Sequence, residues 1–241
     1  MIKDYKTESE IKKIVKTLGS HLMVGDSHGY KKNSPETIIE SAKKSADDYL
    51  NLVDKRNAAV SLMTVILAAN RSWMRQVEPH VKIMEQNFSK MKFEHLQDKL
   101  DTKNYVEFQE IWGHKDEKKY DTLASIVKKI LSLQKLTSWS DRKLMKTWAQ
   151  NAQLNHMKED ILLGGIKNVG IATFQHLRMV FGADTVKPDQ RVKEVLSKEF
   201  GVPRLSDEGI IEAIEDIAKI TGHKVIVIDQ IFVKYGSGYY V

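Results

Sequence analysis

The sequence predicts an all-α fold, and three observations lead to this prediction. Apolar residues recur with the 3.6-residue period of a helix along most of the 241-residue chain. Residues that start and stop helices flank these runs, as Ser206 and Gly222 do around the isoleucine-rich stretch 210–217. Residues 224–228 (KVIVI) have strand propensity, but a single short segment without a partner strand makes a poor sheet. We therefore expect them to begin a buried terminal helix.

The remaining helices follow from the same signals in chain order. The first helix carries an apolar stripe through residue 18 and can end at Gly19. Ser34 and Pro35 are typical of an N-cap and a first helical position, so a second helix should run from there to about residue 52. Residues 60–69 are nearly all apolar, which predicts a buried helix. Further helices are expected at 77–88, 104–112, 120–134, 141–151 and 206–220.

The composition narrows the classes of function. Hydrophobic residues make up 41% of the chain and cysteine is absent, which indicates a globular protein and excludes disulfides, a thiolate nucleophile, an iron–sulfur cluster and Cys-ligated zinc. The eight histidines show no metal-ligand spacing, so no metal site is expected. No apolar stretch approaches the length of a membrane span, and the N-terminus lacks a signal-peptide pattern. We expect a cytoplasmic monomer without a membrane partner.

Positive charge is concentrated in residues 142–193. The whole chain carries 38 Lys and Arg against 32 Asp and Glu, a formal net charge of +6. The 52 residues from 142 to 193 hold nine basic residues and four acidic ones. A phosphate-binding surface and a plain solvated basic face explain this excess about equally well.

Residues 162–201 contain the most informative pattern. A helix is expected to end near Gly164 and Gly165, a turn should cover residues 166–170, and a new helix should start at Ile171. Gly170 has no Cβ, so a partner can come close to the backbone there. The first amides of the new helix have no acceptors within the helix and attract an anion such as a DNA phosphate. The same pattern also fits a tight connection between two packed helices.

Residues 166–174 (IKNVGIATF) resemble the helix-hairpin-helix (HhH) motif, commonly L-P-G-V-G-x-K-T-A, which grips one DNA backbone strand. Residues 186–192 (VKPDQRV) resemble the V-D-x-x-V element of the HhH-GPD superfamily of DNA glycosylases. Asp189 would be the catalytic aspartate, 19 residues after Gly170, which matches the family spacing. Residues 228–236 (IDQIFVKYG) resemble the family's closing helix, often L-D-x-x-L-W-x-x-G, which packs against the helix of the catalytic aspartate. Asp229 in this helix is expected to be a structural hydrogen-bonding residue.

The resemblance extends over about residues 57–237 and implies two helical lobes with an interlobe cleft. It divides the chain into an N-terminal helical extension, 1–56, and a glycosylase core, 57–237. The core would contain the hairpin at 162–182 and the helix of the catalytic aspartate at 186–200. The implied partner is double-stranded DNA that contains a modified or mispaired base. The implied activity is base excision, in which the base is flipped out and its glycosidic bond is hydrolysed.

The resemblance implies that Asp189 acts on the sugar of the flipped nucleotide. Departure of the base creates positive charge at C1′, which a nearby carboxylate stabilises while it orients or deprotonates a water molecule. Asp189 also stands directly before a helical run, so a simple N-cap is the competing interpretation. Ala172 occupies the position where bifunctional family members carry a Schiff-base lysine, which implies a monofunctional enzyme without lyase activity. Lys167, five residues earlier, is better placed for a phosphate than for the sugar.

A second resemblance lies upstream, at residues 65–73 (VILAANRSW). They resemble the end of the wedge-bearing helix of the superfamily, of the type I-L-S-x-Q, whose amide fills the gap that the extruded base leaves. Asn70 stands 102 residues before Ala172, close to the family spacing. Gln134, in I-L-S-L-Q, is a closer match in letters but precedes Ala172 by only 38 residues. Asn70 can also be a plain helix C-cap.

The resemblance also implies a set of contacts. DNA is expected to contact Lys167, Asn168, Gly170, Ala172, Thr173, Asn70 and Arg71. Trp73 and Tyr235 are candidates for the wall of the base pocket. No cofactor is implied, apart from a monovalent cation that such hairpins can bind through backbone carbonyls. The alternative function, from another class, is a non-catalytic HhH protein that binds DNA or serves as a repair scaffold.

Overall fold

The computed structural model describes residues 2–24, 36–102, 105–238 and 240. These residues form helices joined by turns and contain no β-strand, only two isolated bridges, so the all-α prediction is confirmed for this part of the chain. Two short 3-10 helices, Ile2–Asp4 and Leu154–Glu159, and a π-helical turn, Trp73–Val77, accompany the α-helices. The α-helices are α1 (Glu8–Ser20), α2 (Ile38–Lys55), α3 (Ala58–Ala68), α4 (Glu78–Asn87), α5 (Phe93–Asp101), α6 (Tyr105–Trp112), α7 (Glu117–Thr137), α8 (Asp141–Asn151), α9 (Ile171–Val180), α10 (Gln190–Phe200), α11 (Asp207–Thr221) and α12 (Val225–Gly236).

Helix α11 begins and ends at the residues that the sequence indicates. The Ser206 hydroxyl accepts a hydrogen bond from the Gly209 amide at 3.2 Å, which satisfies a donor that has no acceptor within the helix. Gly222 follows the helix with φ 71°, in the left-handed region that favours glycine. The next helix begins at Val225, so the apolar segment after Lys224 is helical, as expected.

Helix α2 begins later than the sequence analysis proposes. The predicted N-cap and first position, Ser34 and Pro35, lie outside the described residues. The Thr37 hydroxyl accepts a hydrogen bond from the Glu40 amide at 3.4 Å, and the Glu40 carboxylate accepts one from the Thr37 amide at 2.9 Å. This reciprocal capping box starts the helix at Ile38.

One compact unit consists of Met1–Leu50 together with Asp184–Val241. Within it, α12 packs against α10 and α11, and α1 packs against all three of these helices. The apolar stripe of α1 is buried at Ile11, Val15 and Leu18. The N-terminal helix therefore belongs to a core that it shares with the C-terminal helices, whereas the sequence analysis divides the chain between residues 56 and 57.

The other compact unit is the continuous segment Asn51–Ala183. Helix α3 is its most enclosed element, because it contacts α4, α5, α7, α8 and α9 and each of its residues is buried. This confirms the buried helix expected at 60–69. The indole nitrogen of Trp112 donates a hydrogen bond to the Met63 carbonyl at 3.1 Å and so joins α6 to the middle of α3.

Candidate functional site

The turn at residues 166–170 is open to solvent and leads directly into α9. Lys167, Asn168 and Gly170 are exposed, and Ile171 is the first residue of the helix. Asn168 has φ 66°, in the left-handed region that favours glycine. Asn168 aligns with the first glycine in the G-V-G part of the HhH motif. A residue with positive φ therefore stands where the motif carries a glycine.

Gly170 is the N-cap of α9, with φ −96° and ψ 177°, an extended conformation that any residue can adopt. A Cβ added to Gly170 would meet no atom within 4 Å. Neither the backbone conformation nor the packing of the protein therefore requires glycine here. Among the residues that the structure describes, no side chain caps the first amides of α9, which include those of Ala172 and Thr173. These amides remain available to an acceptor from outside the protein.

The element that precedes the turn is not an α-helix. The sequence predicts that a helix ends near Gly164 and Gly165, whereas the structure has the 3-10 helix Leu154–Glu159 followed by a single helical turn, 160–164. The Gly164 amide closes this turn by donating to the Asp160 carbonyl at 2.8 Å. Gly165 then has φ 72°, which ends it.

The side chain of Asp160 explains why the element is so short. Its carboxylate accepts hydrogen bonds from the amides of Leu162 at 3.0 Å and Leu163 at 2.7 Å. The indole nitrogen of Trp148 holds the same carboxylate at 3.1 Å. Asp160 is thus an N-cap that Trp148 of α8 holds in place, and the helical turn begins there. A helix does not continue on the N-terminal side of the residue that caps its first amides.

Two side chains of α7 anchor the turn. Thr122 Oγ1 lies 3.2 Å from the Lys167 carbonyl oxygen and 3.4 Å from Asn168 Nδ2, within hydrogen-bonding distance of both. Lys129 Nζ donates a hydrogen bond to the Gly164 carbonyl at 2.5 Å. The sequence analysis missed both anchors, because they join residues 35 to 46 positions apart and no local pattern reports such contacts.

The Lys129 ammonium occupies a backbone carbonyl at which the monovalent cation implied by the resemblance could otherwise bind. It already places a positive charge at the Gly164 carbonyl, and an ion bound to that carbonyl would have to displace it. The Gly164 carbonyl is therefore already engaged, and a cation bound through other carbonyls of the hairpin stays a prediction. The described part of the chain contains no group of three or more His, Asp or Glu residues that could hold a metal ion.

Asp189 is the N-cap of α10, as the competing interpretation of the sequence requires. Its Oδ1 accepts hydrogen bonds from the amides of Arg191 at 2.9 Å and Val192 at 3.1 Å. Its Oδ2 accepts none from the residues that the structure describes. The side chain is half-buried. One oxygen of Asp189 is therefore fixed by the helix, and the other is free.

The segment that leads to Asp189 is joined to the first turns of α12 at two points. The Asp184 carboxylate accepts a hydrogen bond from the Ile226 amide at 2.9 Å, and the Lys187 amide donates one to Asp229 Oδ1 at 3.3 Å. Both pairs are 42 residues apart, so the segment follows α12 in a constant register. Helix α12 in turn packs against α10, which Asp189 caps.

Asp229 is buried, with 2% of its surface exposed. Its Oδ2 accepts a hydrogen bond from the Gln230 side chain at 2.9 Å. Burial raises the pKa of Asp229 to about 7, and the charge of Asp189 adds to the rise, while the hydrogen bonds from Gln230 and the Lys187 amide oppose it. The sequence analysis expects a hydrogen-bonding residue here, but it does not foresee that Asp229 lies within electrostatic reach of Asp189.

The C-terminal turn of α12 lies close to α10. A Cβ on Gly236 would lie 3.2 Å from the Cβ of Arg191, so the two helices approach each other closely. The Tyr235 hydroxyl donates a hydrogen bond to Glu199 at 3.0 Å, and its ring stacks on Tyr240 with the centroids 4.7 Å apart. Tyr235 is thus engaged within its own unit, and its place in a base pocket stays a prediction.

The loop after α3 carries the candidate wedge residue. Asn70 has φ 58°, and its exposed side chain has no hydrogen-bond partner in the described ranges. The neighbouring Arg71 donates a hydrogen bond to the Gly113 carbonyl at 2.9 Å. The competing amide, that of Gln134, donates to the Asp141 carboxylate at 2.6 Å. Of the two candidates, Asn70 is the one whose side-chain amide has no partner among the described residues.

A lysine of α7 caps the C-terminal end of α3. Lys119 Nζ donates hydrogen bonds to the carbonyls of Leu67 at 3.1 Å and Ala69 at 2.6 Å. Burial lowers the pKa of Lys119 from its ordinary value, and the charge of Arg71 adds to this effect. The loop that carries the wedge candidate is therefore held by a contact that the sequence does not reveal. Trp73, half-buried, begins the π-helical turn that follows.

Part of the positive charge in residues 142–193 is already neutralised. The ammonium group of Lys167 has no hydrogen-bond or ion-pair partner among the described residues, so its charge is available to a ligand. Three other basic residues of this range form ion pairs: Lys146 with Asp54 at 3.0 Å, Arg191 with Glu194 at 3.5 Å, and Lys193 with Asp207 at 2.8 Å.

Comparisons with protein-family models, with curated proteins and with solved structures found no match for this chain. In the described ranges, none of the helices has both the length and the apolar character that a membrane span requires. Function must therefore be inferred from the residues themselves and from the motifs that they form.

Proposed function

We propose that this protein is a monofunctional DNA N-glycosylase. It flips a damaged or mispaired base out of double-stranded DNA and hydrolyses the glycosidic bond, which is the first step of base excision repair. Water is the nucleophile, Asp189 is the catalytic residue, and the product is an abasic site in an intact strand. Two features support this proposal: the uncapped helix N-terminus after Gly170 and the free carboxylate oxygen of Asp189.

The observation that carries the proposal is the buried Asp229, which accepts a hydrogen bond from the Lys187 amide two residues before Asp189 and whose pKa the charge of Asp189 helps to raise. Helix α10 needs one cap, which Asp189 supplies with a single oxygen. The buried Asp229 carboxyl group adds nothing to this cap and costs stability, because burial and the like charge of Asp189 both oppose its ionisation. Paired carboxyl groups with a shifted pKa are typical of sites that move protons or stabilise charge.

The two oxygens of Asp189 define the chemistry that it can perform. Two amides of α10 fix Oδ1, so the carboxylate is oriented before the substrate arrives. As the base departs, positive charge develops at C1′, and a fixed anion stabilises this charge without having to reorganise. Oδ2 can accept a proton from the attacking water, which makes Asp189 the general base as well.

The monofunctional assignment depends on Ala172. A lyase needs an amine that forms an imine with C1′, because the imine permits elimination of the 3′ phosphate. The second residue of α9 offers a methyl group at the position where lyase members of the family carry their lysine. Lys167 lies on the exposed turn, where we assign it to a phosphate. Water is therefore left as the nucleophile.

The DNA contacts follow from which groups are free. The α9 amides of Ala172 and Thr173 and the ammonium of Lys167 suit one backbone phosphate, with Asn168 and Gly170 forming the turn that lets the strand approach. Asn70 is the preferred wedge, because the amide of Gln134 is held by Asp141. Arg71, Trp73 and Tyr235 keep the roles that the resemblance implies: a DNA contact and two candidate walls of the base pocket.

A non-catalytic HhH protein that binds DNA or serves as a repair scaffold is the second candidate. One observation favours it: the cap that Asp189 provides for α10 is a complete structural reason for an aspartate at this position. In that case the hairpin binds DNA and no base is released.

The decisive experiment incubates the protein with a panel of duplexes, each carrying one modified or mispaired base, and then applies hot alkali to cleave abasic sites. The proposed enzyme gives alkali-dependent strand breaks on at least one duplex and no breaks without alkali. Borohydride traps little or no covalent complex. Efficient trapping of the wild type would overturn the monofunctional assignment, with Lys167 as the first candidate for the amine.

Asp189→Asn is the matched control, because asparagine caps a helix as well as aspartate does. We expect this variant to bind the duplex like the wild type and to release no base. Unchanged base release would remove Asp189 from the mechanism. Binding by the wild type without base release on any duplex would favour the scaffold. A second variant, Ala172→Lys, restores the family amine and should produce some borohydride trapping.

A further inference from the structure

We propose that Asp229 is a positioning residue, which holds Asp189 in its reactive orientation and whose charge state controls the rate of base release. This inference rests on the proposed function, which it deepens. It assigns a role to Asp229, a buried carboxyl group that takes no part in the hairpin or in the cap of α10. Asp229 does not touch the substrate in this scheme, because it lies inside the unit with 2% of its surface exposed.

A short and rigid path leads from Asp229 to Asp189. Asp229 Oδ1 accepts a hydrogen bond from the Lys187 amide at 3.3 Å, and the Lys187 carbonyl accepts one from the Asp189 amide at 2.7 Å. Between them, the buried Pro188 has a backbone dihedral fixed by its ring. The position of the Asp189 backbone is therefore set by the amide that Asp229 holds, and Oδ1 of Asp189 is fixed in turn by α10.

Electrostatics connect the same two groups. The charged groups that act on Asp229 are Asp189 and Lys187, both from the segment before α10. Helices α1 and α11 also pack against α12 but add no charged group to these two among the described residues. Because the pKa of Asp229 is raised to about 7, Asp229 changes its charge near neutral pH. When ionised, it adds a negative charge behind Asp189, which favours the positive charge that develops at C1′.

The first arm of the test measures single-turnover base release between pH 5.5 and pH 8.5, for the wild type and for Asp229→Asn. Asparagine keeps an oxygen for the Lys187 amide but cannot ionise. The wild-type rate should rise roughly tenfold through a step centred near pH 7, a size at the lower end of what an orienting partner contributes at metal sites. Asp229→Asn should lack the step and stay near the low-pH rate of the wild type.

Asp184→Asn is the matched control for this arm. Asp184 lies on the same segment and accepts a hydrogen bond from the same helix, in the same register, but it is exposed. Asparagine preserves that hydrogen bond, so the variant should keep the wild-type pH profile. A purely structural role of the segment would affect both variants alike and would move no titration step, so a step that persists in Asp229→Asn overturns the inference.

The second arm needs no activity. Carbon-13 NMR of the carboxyl groups follows the titration of Asp229 in the wild type and in Asp189→Asn. Removal of the like charge should lower the pKa of Asp229, and an unchanged pKa would show that the two groups are not coupled and overturn the inference.

A wild type that releases no base from any duplex overturns the proposed function and the positioning role of Asp229 with it. A wild type that is active but shows no step near pH 7 overturns this inference alone.

Discussion

The N-termini of α9 and α10 differ in whether a side chain of the protein supplies a negative charge to the first amides of the helix. Both helices begin after a residue in an extended conformation, Gly170 with φ −96° and Asp189 with φ −94°. At α10 the protein fills the position itself, because the Asp189 carboxylate accepts hydrogen bonds from two amides. At α9 no side chain in the described ranges does so, and a Cβ at Gly170 would meet none of their atoms within 4 Å.

The difference shows how one kind of local structure can serve two purposes. A helix N-terminus attracts an anion in either case. When the anion is an aspartate, the site is complete and gains a fixed carboxylate oxygen. When the anion is missing and no packing reason explains the glycine, the site is open to a ligand, and we assign it to a DNA phosphate. Exchanging the two arrangements tests both assignments.

The largest effect is expected for Asp189→Ser. Serine caps a helix nearly as well as aspartate, so the free energy of unfolding should change by less than about 0.5 kcal/mol. The carboxylate is lost, and base release should fall by about 10² to 10⁴-fold, the usual contribution of a general base. Alkali-dependent strand cleavage measures the rate, and urea unfolding measures the stability. A stable variant with normal activity would mean that Asp189 only caps α10.

The next largest effect concerns the stability of Asp229→Asn. The pKa of Asp229 is about 7 in the folded protein and close to 4 in an unfolded chain, so the folded state holds this proton more tightly. The stabilisation is present below about pH 4 and is lost as the pH rises to about 7. Asp229→Asn should therefore match the wild type below about pH 4 and become progressively more stable than the wild type as the pH rises, by up to about 4 kcal/mol at pH 8.

Urea unfolding at four pH values between 5 and 8 tests this expectation. Asp184→Asn serves as the control, since its exposed side chain should give a difference from the wild type that does not depend on pH. If the curves of the wild type and Asp229→Asn run parallel, Asp229 does not titrate in this range.

A smaller effect is expected for Lys167→Ala, at the open terminus. Lys167 is exposed and unpaired among the described residues, so its loss should remove one phosphate contact. Binding should weaken roughly fivefold at low salt for every duplex sequence, and the slope of log K against log salt should fall by about one. Lys13→Ala, which removes the same charge from the exposed face of α1, should leave the slope unchanged. A loss that depends on the DNA sequence would contradict a phosphate role.

The smallest effect is expected for Gly170→Ser, where the direction of the change in DNA affinity is the informative result. Serine at this position can cap α9, so the free energy of unfolding should rise by about 0.5 kcal/mol. The same hydroxyl competes with the phosphate for the α9 amides, and binding should weaken about threefold. Fluorescence anisotropy with an undamaged duplex measures the affinity. Unchanged or tighter binding would mean that the amides after Gly170 do not contact DNA.

Patterns within one helix were sufficient to predict most of the secondary structure. Ser206 and Gly222 bracket α11 because caps act on their own first and last turns. The continuous apolar run of α3 predicts burial on all sides, and that helix is buried throughout. One exception is the element before Gly164, where Asp160 and the indole of Trp148 limit the helix to one turn. Another is α5 (Phe93–Asp101), a helix that the sequence analysis does not predict.

The arrangement around the candidate site could not be predicted in the same way. Lys129 and Thr122 anchor the turn from a helix that lies 35 to 46 positions away in the chain. The contact between Lys187 and Asp229 spans 42 positions. The environment of Asp229 depends on burial by other helices, and burial is a property of the folded chain. The sequence could identify Asp189 as a candidate and Asp229 as a hydrogen-bonding residue, but not the electrostatic coupling between them.

The division of the chain also has a consequence for the order in which the protein folds. Asn51–Ala183 is continuous, so a ribosome completes this unit before it has synthesised α10, α11 and α12. Met1–Leu50 cannot complete its core until α10, α11 and α12 have been synthesised. The apolar stripe at Ile11, Val15 and Leu18 therefore lacks the helices against which it packs until the C-terminal part of the chain has been synthesised.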